Sequence, residues 1–168
     1  MVESRSAQGG YAELDSVDWA ILGLLQVDAT IANKDVAARV GIAPSTCLDR
    51  VRRLRERGVI SSIRAQVDPA SIGRGEQAFL AIQLRPHSRV SADEFSRRVL
   101  AAPETVALYS VTGEEDFLVH VAVRDSSALE RFIMDHLLAM PQVARCRTQL
   151  IFGQPRTAPV RRAVEPAP

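Results

Sequence analysis

The stretch from Gly41 to Gly58, Gly-Ile-Ala-Pro-Ser-Thr-Cys-Leu-Asp-Arg-Val-Arg-Arg-Leu-Arg-Glu-Arg-Gly, constrains the fold of this chain more than any other. Gly41 suits the left-handed residue that closes one helix, and Pro44 suits the first turn of the next. Cys47, Val51 and Leu54 recur at i, i+4 and i+7, so the second helix has one buried stripe. Ser45, Thr46, Asp49, Arg50 and Arg53 point away from that stripe. Short polar side chains at a helix N-terminus, backed by arginines, are what a major-groove reader presents to base edges and phosphates.

The charge distribution agrees. The whole chain is only +1, yet residues 39–64 hold seven arginines against Asp49 and Glu56, a local net of +5. Residues 1–38 sum to −4. A local basic surface on a near-neutral chain is the electrostatic footprint of a nucleic-acid site. The plainer alternative is a solvated amphipathic helix with ordinary arginines.

With 168 residues and 46% hydrophobic content, the chain has room for one medium domain or two small ones. No apolar run is long enough to span a bilayer, and the N-terminus lacks the apolar core of a signal peptide, so a cytoplasmic protein is expected. Cys47 and Cys146 stand alone and read as buried thiols rather than a metal cluster or a disulfide framework.

Residues 1–13 read as a flexible arm and 14–58 as a helix-turn-helix domain. Its first helix is capped by Asp15 and repeats Val17, Ile21, Leu24 and Leu25; its second runs from a cap at Asn33 to Gly41. Residues 59–76 form a linker and hinge, with 59–67 expected as a strand that makes the domain winged. Residues 77–153 follow as strand, helix, two strands, helix and strand, which is a ferredoxin-like βαββαβ sheet. Capping boxes at Ser91–Glu94 and Ser127–Glu130 are expected to open its two helices. Residues 154–168 form a Pro- and Arg-rich tail, expected to be disordered and to add non-specific DNA affinity. The fold class is therefore α+β, with a DNA-binding domain joined to a sensing and oligomerisation domain.

In the first expected strand Ala78, Leu80, Ile82 and Leu84 share one face, and in the third Phe117, Val119, Val121 and Val123 do. Two helices can cover only one face of such a sheet. The other offers Phe79, Ala81, Leu118, His120 and Ala122, too apolar to remain wet, so burial against a second subunit is expected.

These residues resemble the Lrp/AsnC (leucine-responsive / asparagine-operon, feast-or-famine) family of transcription regulators. The resemblance spans roughly residues 14–153 and rests on five ordered motifs. They are Leu14-Asp15-Ser16-Val17-Asp18 with Leu25-Gln26, Cys47 to Leu54, Gly58-Val59-Ile60, Asp68-Pro69 with Gly73, and Val111 to Phe117. The resemblance implies a homodimer that assembles further to a tetramer or octamer, binds double-stranded DNA, and responds to a small effector, usually an amino acid. No cofactor, metal or catalytic residue is implied. Effector binding is expected at Gly113, Glu114, Asp116, Phe117 and Thr148. There a glycine admits close backbone approach, and Asp116 can meet an ammonium group. A bare hairpin turn at Gly113–Asp116 is the structural alternative. DNA contact is expected from Ser45, Thr46, Asp49, Arg50, Arg52, Arg53 and Arg57. Arg50 and Arg53 would reach guanine edges or phosphates, while Arg52 and Arg57 would hold the backbone. Ala43 stands where the family often has a serine cap, and Phe117 where it commonly has tyrosine.

Two rival functions remain. An enzyme on the same frame, similar to siroheme decarboxylases, would need histidines converging on an anionic macrocycle; His87, His120 and His136 are the candidates, and no pair has catalytic spacing. A metabolite-binding module with a vestigial DNA domain is the other, and the arginine density at 50–57 opposes it.

Overall fold

A computed structural model describes residues 13–86, 88–153 and 158–162. The N-terminal arm up to Tyr11-Ala12, His87 and the rest of the tail lie outside the described residues. The chain divides into two compact units, one formed by residues 1–65 with 156–168, the other by 66–155.

The first unit is built on three helices, α1 (Ser16–Val27), α2 (Asn33–Val40) and α3 (Pro44–Glu56). Asp15 caps α1 by accepting the Asp18 N–H at 2.8 Å, and the Asp18 carboxylate accepts the Asp15 N–H at 3.4 Å. This reciprocal pairing satisfies two amide groups that a helix start would otherwise leave bare. Gly41 ends α2 at φ +73°, a left-handed conformation that a Cβ would strain. The turn then reaches Ala43 and Pro44, with proline at the first helical position of α3. Asn33, expected as the cap of α2, is instead its first residue; its side-chain N–H donates to the Pro44 carbonyl at 2.8 Å, tying the two helix starts together. Ile21, Leu22, Val36, Ala37, Cys47 and Leu54 form the core, one face from each helix.

The second unit carries β1 (Glu76–Leu84), α4 (Arg89–Ala101), β2 (Thr105–Ser110), β3 (Phe117–Val123), α5 (Ser126–Phe132) and β4 (Val143–Leu150). The strands order as β2-β3-β1-β4, every pair antiparallel. This is the βαββαβ sheet the periodicity predicts. Ala78, Leu80, Ile82 and Leu84 of β1 and Phe117, Val119, Val121 and Val123 of β3 are buried together with Phe95 and Val99 of α4 and Leu129 and Phe132 of α5.

Several local expectations are corrected. Among the described residues no strand ladder reaches 61–68, so the linker strand expected over 59–67 does not form within this chain. An extended segment becomes a strand only where a neighbour supplies hydrogen bonds. Helix α4 is capped by Ser88, whose hydroxyl accepts the Ser91 N–H at 3.1 Å, not by Ser91 itself. Helix α5 is capped by Asp125, accepting the Ala128 N–H at 2.9 Å, ahead of Ser127. Ser88, three positions before Ser91, and Asp125, two before Ser127, each have the extended backbone that a cap requires. Helix α5 then widens into a π-helical turn over Ile133–Leu138, which places Leu137 in the core behind Phe132.

Candidate nucleic-acid interface and effector cleft

Helix α3 buries Cys47 and Leu54 and leaves Ser45, Thr46, Asp49, Arg52, Arg53 and Arg57 exposed on its outer side. Its N-cap is Ala43, whose methyl group cannot satisfy the first N–H groups. A helix start with uncapped N–H groups, the positive end of the helix dipole and two exposed hydroxyls is chemically ready for a phosphate oxygen. Arg52 reaches Asp49 at 3.1 Å and Glu56 at 3.8 Å. These are exposed pairs that water and salt screen, so exchanging them for phosphates costs little. Arg57 donates to the Glu13 carbonyl at 3.4 Å. Among the described residues, neither Arg53 nor Arg55 has an ion-pair partner.

Arg50, expected at the DNA, is also paired within the unit. One guanidinium nitrogen lies 2.7 Å from Asp15 and 2.8 Å from Asp18, so α3 is clamped to the start of α1. The Asp18 side chain is only 12% exposed, and the Arg50 Nε is buried. The Asp18 N–H and then the Arg50 guanidinium hold the Asp15 carboxyl below its usual range, and the two carboxylates raise Arg50. The rest of the Arg50 side chain stays 25% exposed, beside Arg53 and Arg57.

Both thiols are quiet. Cys47 is buried in the core of its unit, and burial pushes its pKa up; Cys146 is half-buried and raised to about 11. A thiol held protonated at neutral pH is a poor nucleophile and a poor metal ligand. Among the described residues no cluster of His, Cys, Asp and Glu could hold a metal ion.

In the second unit, the five expected effector residues do not share one pocket. Gly113 is exposed in the β2–β3 loop at φ +131°, and a Cβ there would meet nothing within 4 Å; backbone conformation, not space, selects glycine. The Asp116 carboxylate accepts the Leu84 N–H at 2.7 Å, while its backbone N–H donates to Ile82 at 2.8 Å. It fastens the loop to the end of β1. Phe117 is 5% exposed and lies against Phe95 with ring centroids 5.0 Å apart, inside the core rather than in a pocket. Thr148 is exposed and pairs in register with Leu80, which puts it on the helix-covered face. Of the five, Glu114 lines a cleft. That cleft, of about 170 Å³, opens on the other face between Ala81, Gln83, Glu114, Glu115, Arg145 and Arg147. Glu115 and Arg147 are ion-paired across it.

Sequence reasoning missed Arg145, Arg147, Gln83 and Glu115. The signal was present: positions 145 and 147 alternate along β4, so both arginines share the uncovered face with Gln83 of β1, opposite Arg145 in the register. His120 lies on that face too, 3.0 Å from the Gln77 side-chain oxygen, and its burial lowers its pKa. His136 stacks on Phe132 on the helical side. The two histidines therefore serve opposite faces of the sheet, and His87 lies outside the described residues.

Known proteins give the context. A relative from Mycolicibacterium smegmatis, the HTH-type transcriptional regulator AldR, is 41% identical over 146 residues, covering 87% of this chain and 85% of its own length. The leucine-responsive regulatory protein of Rhizobium meliloti is 35% identical over 87% of this chain and 94% of its own. Among solved structures, a transcriptional regulator from Neisseria meningitidis in complex with L-methionine superposes at TM-score 0.81, with 28% identity over 88% of this chain and 96% of that one. AldR of Mycobacterium tuberculosis superposes at 0.75, with 36% identity over 89% and 99%. Residues 14–55 match the AsnC-type helix-turn-helix domain and residues 77–160 the Lrp/AsnC ligand binding domain. The enzyme alternative falls with these matches, and the chain belongs to the Lrp/AsnC family of transcriptional regulators.

Proposed function

We propose that this regulator reads a specific double-stranded DNA site as a homodimer or a higher oligomer in the cytoplasm, and that an amino acid bound in its second unit alters that reading. The observation that carries the DNA half is α3 itself, with hydroxyls at an uncapped start and Arg52, Arg53 and Arg57 exposed behind them. Ser45, Thr46 and Asp49 are the base readers in this proposal; the three arginines hold phosphates. Arg50 shapes the reader without touching DNA.

For the effector, support comes from the charge arrangement of the cleft. Arg145 and Arg147 can take a carboxylate and Glu114 an ammonium group, which matches both ends of a free amino acid. The L-methionine complex of the Neisseria neighbour concerns that protein, and it makes amino acids the class to try first. Self-association is supported by the uncovered sheet face, where Phe79, Leu118 and His120 are only half-buried and Tyr109 is exposed, and by the exposed, unladdered 61–67 segment. Coupling between effector and DNA would be reciprocal.

Fluorescence anisotropy on the chain's own upstream DNA and on a scrambled duplex, at two salt concentrations with and without pooled amino acids, tests this. A preference of roughly 10³-fold for the upstream duplex that shifts with the pool is the expected outcome. Equal, salt-sensitive binding to both duplexes would replace specific regulation with an architectural role. No binding at either salt would overturn the assignment of α3 as reader.

A further inference from the structure

A described part of the tail touches the first unit. Residues 158–162 are described, and Val160 is bonded twice to one side chain of α1, although the two residues lie 134 positions apart. The Gln26 carboxamide donates to the Val160 carbonyl at 3.1 Å and accepts the Val160 N–H at 2.7 Å. That is how a neighbouring strand would pair with one residue: donor to acceptor and acceptor to donor. A primary carboxamide is the side chain that can imitate it. Val160 also lines a cavity of about 470 Å³ in the first unit, with Leu14, Trp19, Leu22, Leu25 and Ile60 around it. The Val160 side chain is 74% exposed, so the backbone rather than the valine is recognised. Arg161 and Arg162 follow at once, both exposed.

We propose that residues 158–162 dock on the helix-turn-helix unit, held by the Gln26 carboxamide beside the Leu14–Trp19–Leu25 groove, and that this anchor delivers Arg161 and Arg162 as further phosphate contacts. The proposal rests on the DNA-binding reading above. An untethered basic tail adds affinity through local concentration alone, whereas an anchored one contributes contacts at a fixed place. The distinguishing consequence is that a neutral change far along the sequence should act like the loss of two charges.

Full-length protein is compared as wild type, Gln26→Ala, Arg161→Ala/Arg162→Ala, and the triple combination. Affinity is measured across a salt series, and circular dichroism checks the fold. Both the neutral variant and the double-arginine variant should lower the slope of log affinity against log salt by about two units, and the combination should lose no more. Hydrogen exchange at the Val160 amide gives a readout without DNA: protection in wild type should vanish in Gln26→Ala. An unchanged slope in Gln26→Ala beside a lowered one in the arginine variant would mean that Arg161 and Arg162 reach phosphates without the anchor and would overturn the delivery it is proposed to make. An unprotected Val160 amide in wild type would overturn the anchor itself. Absence of DNA binding by the wild type would sink the DNA reading and the delivery of the arginines, while the exchange result would still decide the anchor.

Discussion

The two units solve the same problem with different materials. The sensing unit covers one face of a four-stranded sheet with two helices, and its core includes two phenylalanines in contact, Phe95 and Phe117. The reading unit has three short helices around a core without aromatic rings among its fully buried members. It adds a polar clamp, Arg50 on Asp15 and Asp18, at the junction of α1 and α3. A small helical unit whose outer side must stay basic cannot enlarge its apolar area without covering the reader. It gains rigidity by pinning one arginine and leaving its neighbours exposed.

The largest expected effect lies in the sheet. Phe95→Ala should cost about 3–5 kcal/mol, lowering the denaturation midpoint of the sensing unit; loss of near-ultraviolet signal from that unit before the helical signal falls would sharpen the contrast. A single unchanged transition would break it. Next comes the clamp. Arg50→Ala removes charge-assisted hydrogen bonds worth about 1.5–3 kcal/mol and leaves Asp18 under-satisfied, so the reading unit should melt earlier and DNA affinity should fall with it. Restored affinity at low temperature, where the unit is folded, would identify the effect as structural.

The acid side offers a finer probe. Asp15 has a lowered pKa in the folded state, so its contribution is complete above its ordinary value of 3.8 and is lost as pH falls through the lowered one. Stability should therefore decline in that acid window, and Asp15→Asn should flatten the decline; an identical acid limb in the variant would remove Asp15 from the account. The smallest effect is at the exposed arginines. Arg53→Ala or Arg57→Ala should leave the unfolding free energy within about 0.5 kcal/mol of wild type and lower the salt slope by about one unit. A stability loss at Arg53 equal to that at Arg50 would erase the distinction between clamp and reader.

Much of this was legible in the chain. Alternation in β1 and β3 names the buried face residue by residue, because a pleated strand has a period of two. That same alternation places Phe117 beside Val119 in the core, whereas the family resemblance alone placed it in an effector pocket. The helix starts were less legible, since Ser88 competes with Ser91, and Asp125 with Ser127, and only the backbone conformation decides between them. The π-helical turn has no local signature at all: Phe132 and Leu137 are five apart, a step that an α-helix would not put on one stripe. The pairing of Arg50 was illegible for a further reason. Its partners lie 35 and 32 positions away, and no local pattern records a contact of that range.

The Arg50 clamp also bears on how alleles of this regulator should be interpreted. In a reporter assay, strains altered at position 50 and at position 53 would share one phenotype, loss of control. Their suppressors would not be shared. A second-site change that simply firms up the three-helix unit should restore control to the first strain, while the second should recover only through a new basic residue facing the DNA backbone.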